Sequence, residues 1–83
     1  MTRYILLMPS EEEVIMRPIP AIDKSANAET LRMVQSKVER AGSTSPELEL
    51  TEAEMQRVRR ARNNWKGGYE RQMQAILEAA SRH

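Results

Sequence analysis

Leu50-Thr-Glu-Ala-Glu-Met-Gln-Arg-Val-Arg-Arg-Ala-Arg-Asn-Asn-Trp-Lys-Gly-Gly-Tyr-Glu-Arg71 is the stretch from which the fold can be read. Thr51 and Glu54 have the spacing of a capping box, in which the Thr hydroxyl accepts the N–H of residue 54 and the Glu carboxylate accepts the N–H of residue 51. Leu50 before the cap and Met55 behind it complete a hydrophobic staple. A helix is therefore expected to start at Glu52. Beyond it, apolar residues recur at steps of three and four: Met55, Val58, Ala61, Trp65, then Tyr69, Met73, Ile76 and Ala80. This phase runs across Gly67-Gly68, a pair that costs about 2 kcal/mol inside a helix at roughly 1 per Gly. Two readings stay open for residues 52–82, the first of them slightly favoured. The unbroken register favours one long helix bent or thinned at the glycines; the cost of the glycines favours a pair of helices broken there.

The polar side of this stretch carries Arg57, Arg60, Asn64, Gly67 and Arg71, also at steps of three and four, with Arg59 and Lys66 flanking the apolar stripe. Gln56 to Gln72 holds six basic residues against one acidic. Such a line suits phosphate contacts or the acidic groove of a protein, and equally an ordinary solvated helix face. Arg62 falls inside the apolar phase between Val58 and Trp65. A buried, unpaired guanidinium is costly, so Arg62 must pair, reach to the surface or lie at an interface. Its stem can cover Trp65 while its head meets a Glu, or Arg62 and Trp65 can stack as the anchor of a binding surface. Trp65, the only Trp in a chain without Phe, is expected in the core.

Upstream, Arg3 to Met8 and Val14 to Met16 are short aliphatic runs separated by Pro9-Ser10 and Glu11 to Glu13, the pattern of a β-hairpin. Tyr4 to Met8 is apolar at every position, so both strand faces need cover. The face bearing Tyr4, Leu6 and Met8 is open either to a second copy of the chain or to the Pro-rich segment 17–22 folding over it. Leu31, Val34, Val38 and Ala41 share one face of a helix over about 28–41, with Asp23, Ser25 and Asn27 as candidate N-caps and Gly42 as C-cap. A polar loop follows to Pro46.

Composition narrows the function. Hydrophobic content is 40% with six Met, so Leu, Ile, Val and Met must fill the interior. A net charge of +1 supports no bulk attraction to nucleic acid or membrane, so any such attraction must be local. There is no cysteine, no apolar run long enough to span a bilayer, and no signal-peptide pattern at the start. The only His is terminal His83, and Ser43, Thr44 and Ser45 have no neighbouring base. Glu11 to Glu13, Glu47 and Glu49 are expected in a solvated turn and loop, and Gly67-Gly68 lacks the rest of a phosphate-binding loop. No catalytic, metal or cofactor site and no small-molecule substrate are expected.

The sequence thus predicts one α+β domain over 1–83. A small N-terminal β-hairpin with its Pro-rich connector (1–22) packs on two or three helices, the last bent or broken at Gly67-Gly68. The expected role is that of a non-enzymatic, cytoplasmic binding module. In size and composition it has the format of the small regulators and inhibitors carried by bacteria and phages. Arg57, Arg60, Asn64, Arg71, Arg59, Lys66, Arg62 and Trp65 would meet an acidic protein surface, slightly favoured over nucleic acid. The alternative is an assembly protein that self-associates, as a homodimer for instance, through Tyr4, Leu6 and Met8.

Overall fold

The computed structural model describes residues 2–42 and 47–82; the loop expected at 43–46 and terminal His83 lie outside them. The elements run β1 (Thr2–Leu6), α1 (Pro9–Ile15), α2 (Ala26–Ala41), β2 (Glu47–Thr51), α3 (Glu52–Asn63), a 3₁₀ turn (Trp65–Gly67) and α4 (Glu70–Ser81). This is the α+β architecture expected, with a two-stranded antiparallel sheet beside the helices and a break at the glycines.

The second strand is not where the aliphatic runs placed it. Residues 14–16 belong to the end of α1 and its cap, and β1 pairs with β2, Leu6 facing Glu47 and Thr2 facing Thr51. Pro9 supplies the fixed φ suited to a first helical position, and Glu11 and Glu12 complement the positive end of the helix. The Glu11 carboxylate also accepts the Met8 N–H at 2.8 Å. Those features make a helix of what looked like a turn. Glu47 to Thr51 alternates charged or polar with Leu, so Leu48 and Leu50 point inward while Glu47 and Glu49 face solvent.

The core gathers Ile5 and the neighbouring Leu7, Ile15, Leu31, Val34 and Val38, Leu48 and Leu50, Met55 and Val58, and Met73 and Ile76, drawing on both strands and all four α-helices. Of the methionines, Met55 and Met73 are fully buried, Met16 and Met33 pack partly, and Met8 is exposed, so the interior relies on branched aliphatics more than on Met. α3 begins at Glu52 with the capping box in place: Glu54 N–H to Thr51 Oγ1 at 3.1 Å, Thr51 N–H to Glu54 Oε1 at 2.8 Å. α2 starts at Ser25, whose hydroxyl accepts the Ala28 N–H at 3.2 Å, and ends at Gly42 with φ of 60°. The long-helix reading of 52–82 gives way to two helices. α4 folds back along α3, so Arg62 meets Glu70 and Gln74 while Met55 comes near Leu77 and Ala80. The register survives the break because both helices turn their apolar side to the same core.

Long-range polar ties hold the periphery. Gln35 Nε2 donates to the carbonyls of Ile15 and Arg17, and Arg32 to those of Pro20 and Asp23, pinning the Pro-rich segment against α2. That segment leaves the outer face of β1 uncovered. Glu11, expected in a solvated turn, is only 8% exposed and grips Arg82 through both carboxylate oxygens. The Arg82 guanidinium holds the Glu11 carboxyl below its ordinary value.

Candidate functional site

The turn between α3 and α4 is built around one buried side chain. Asn27, in the first turn of α2 and 3% exposed, directs Nδ2 at the carbonyls of Ala61 (3.3 Å), Asn64 (3.0 Å) and Gly68 (3.1 Å). The carbonyl of Ala61 is among the last of α3, which the helix cannot satisfy internally, while those of Asn64 and Gly68 flank the 3₁₀ turn, so one amide ties the helix end to the turn that follows. The amide end must face them, because an amide oxygen has no proton to offer a carbonyl. Gly67 makes this approach possible: a Cβ there would lie 2.5 Å from Nδ2 of Asn27. Gly68 serves a different need, since its φ of 89° disfavours a side chain while nothing crowds the position. Tyr69 follows with φ of 64°, a conformation costly for an aromatic residue. It is held there by core contact and by its hydroxyl, which donates to the Asp23 carboxylate. That bond, with the Ser25 N–H, lowers the Asp23 pKa to about 2 and raises that of Tyr69.

The result of this framework is an exposed indole. Trp65 is 59% exposed, against the expectation that it sits in the core, because the break rotates it out of the phase set by Met55, Val58 and Ala61. Lys66 Nζ lies 5.7 Å from the centre of its ring, within cation–π range. Arg62 does not stack on Trp65. Its Nε donates to Gln74 Oε1 at 2.7 Å and its Nη1 lies 3.6 Å from Glu70, so it is a strut between α3 and α4.

The helix break also divides the basic line. Arg57, Arg60 and Asn64 border a groove of about 440 Å³ between α3 and the first turn of α2. Arg71 lies instead in a second groove, between α1 and α4, with Arg17 and Arg62. Arg59 turns to the opposite side of α3, toward Arg3, where Glu52 lies 3.6 Å away. Among the described residues no carboxylate pairs with Arg57, Arg60, Lys66 or Arg71. The structure thus joins Arg57, Arg60 and Asn64 along one groove, with Trp65 and Lys66 on the turn that follows Asn64, and places Arg59, Arg62 and Arg71 elsewhere.

Asn27 is the site residue that sequence reasoning missed. It registers there as one of three candidate caps, and its partners lie 34 to 41 positions away. A second surface is formed by Tyr4 and Leu6, exposed on the outer face of β1 opposite Glu49 and Glu47, and by Met8, exposed at the N-cap of α1. Among the described residues no cluster of three or more His, Cys, Asp or Glu side chains could hold a metal ion, and no helix is long and apolar enough to cross a membrane. Comparison with protein-family models, with curated proteins and with solved structures gave no match to this chain.

Proposed function

We propose that this protein is a non-enzymatic binding module, a small regulator or inhibitor acting in the cytoplasm, that docks the C-terminal end of α3 on an acidic surface of another protein. Trp65 carries the reading. A large aromatic ring left more than half exposed gives up the stabilisation that its burial would bring, about 1.5–3 kcal/mol for a large apolar side chain. Here the turn beneath it is fixed by the three bonds from Asn27, so the ring is presented in one place. An exposed Trp on a braced turn, one residue past the Asn64 that lines the groove with Arg57 and Arg60, has the composition of an interface anchor, and the bracing lowers the ordering cost of docking. Lys66 beside the ring, and Arg57 and Arg60 in the groove that Asn64 also lines, supply local positive charge, while the net charge of +1 disfavours a long polyanion. That balance favours an acidic protein over nucleic acid.

The test is Trp65→Ser, a change at an exposed site that should leave the circular dichroism spectrum and melting curve close to the parent's. Crosslinking and capture from the native cell should recover a protein with the parent and lose it with the variant. Equal recovery by both would sink the proposal. A second reading, self-association, is favoured by the exposed row Tyr4, Leu6 and Met8. Light scattering across a concentration series decides it, and a monomer throughout removes it.

A further inference from the structure

The groove between α2 and α3 contains a feature that the exposed Trp does not explain. Asn27 is almost wholly buried, and both protons of its amide are committed to carbonyls of the α3–α4 turn. Its Oδ1 has no donor among the described residues, yet the side chain lines the groove and the oxygen is not sealed from solvent. Thr30 sits beside it, and its hydroxyl donates to the Ala26 carbonyl at 2.9 Å, so only acceptor capacity is left on the groove side. The groove wall thus offers fixed acceptors from α2. The α3 side offers Arg57 and Arg60, two guanidinium groups with no carboxylate partner. Glu29, at the α2 rim, is already engaged by Arg32 at 3.2 Å.

A simple anion answers only half of this arrangement. Sulfate would satisfy the arginines but bring only lone pairs toward the Asn27 oxygen, which needs a donor. A peptide carrying an Asp or Glu brings both complements a few ångströms apart, a carboxylate and a backbone N–H. We infer that this groove is a subsite for an acidic peptide segment, in which Arg57 and Arg60 take a side-chain carboxylate and Oδ1 of Asn27 accepts a backbone N–H of the same segment. The inference rests on the binding-module reading and specifies the chemistry of the partner at the point where it enters the groove.

The probe is a capped Gly-Glu-Gly-Glu-Gly peptide titrated into the full chain, with ¹H–¹⁵N NMR reporting on the Asn27 side-chain amide and the Nε–H groups of Arg57 and Arg60. These three signals should shift together and saturably. The Gln-substituted peptide and inorganic sulfate should bind at least about ten-fold more weakly, the loss expected for a charge-assisted hydrogen bond. Arg57→Gln combined with Arg60→Gln should weaken the acidic peptide by a similar factor and leave the Asn27 amide signals at their native positions. Absent shifts, equal binding of sulfate, or tighter binding of an oligothymidylate would each overturn the inference. Such a failure is separable from failure of the wider reading, because partner capture that still depends on Trp65 leaves the binding module intact without this subsite.

Discussion

Gly67→Ala is the substitution that most directly tests how the α3–α4 turn is held. The added Cβ would lie 2.5 Å from Nδ2 and 2.8 Å from Cγ of Asn27, so the Asn side chain must leave its place. Two N–H groups shared among three carbonyls make about two hydrogen bonds' worth of interaction, each contributing roughly 1 kcal/mol net. The expected loss is therefore about 2 kcal/mol, or a Tm lower by roughly 8–16 °C at about 4–8 °C per kcal/mol for a domain of this size. The diagnostic comparison is a double-mutant cycle measured by urea unfolding. In an Asn27→Ala background only the flexible end of Asn64, its Nδ2 3.1 Å from the new Cβ, has to give way, so Gly67→Ala should cost less than about 0.5 kcal/mol, a coupling of about 1.5 kcal/mol or more between the two sites. Equal costs in both backgrounds would show that the turn is not built on Asn27. Gly68→Ala, which meets nothing but carries a φ of 89°, should cost about 1–2 kcal/mol in either background.

Thr51→Ala removes the cap of α3 and should lower stability by about 1 kcal/mol in urea unfolding. Asp23 has its folded pKa depressed from 3.8 to about 2 and Glu11 is lowered from 4.5, so both contribute stability that is present above those ordinary values and lost as pH falls through the folded ones. The urea midpoint should therefore drop on acidification below about pH 4.5, and Tyr69→Phe should flatten the part between 3.8 and about 2. On the outer sheet face, Leu6→Lys places a cation opposite Glu47 and should leave the monomer's melting temperature unchanged or slightly raised, by the equivalent of about 0.2–1 kcal/mol. Ile5→Ala, on the buried face, should cost about 2–5 kcal/mol.

Legibility of the fold followed the range of the interactions. The start of α3, the cap at Gly42 and the buried face of α2 rest on residues three or four apart, and each could be read directly. β2 is encoded in the strict Glu-Leu-Glu-Leu alternation, which a reading of Glu47 and Glu49 as loop charges and of Leu50 as a staple passes over. In α1 the Pro at the first position followed by three Glu is a helix-start signal that a hairpin reading masks. What no local pattern carries is the partner of Asn27, Glu11 or Arg62, since each is set by how distant elements meet. The helix break is the instructive case. Apolar phase across Gly67-Gly68 reports a shared core, not a continuous helix, and it says nothing about Trp65, which lies on the 3₁₀ turn itself.

The account stands or falls on Trp65 being an exposed anchor that a partner covers. As the only Trp in the chain, it can be followed alone by acrylamide quenching of its fluorescence. The native protein should be quenched nearly as efficiently as free indole, consistent with a ring 59% exposed, and the same Trp should become strongly protected in the isolated complex with a captured partner that lacks Trp. A Trp already shielded in the protein alone, or one quenched equally with and without the partner, would contradict it.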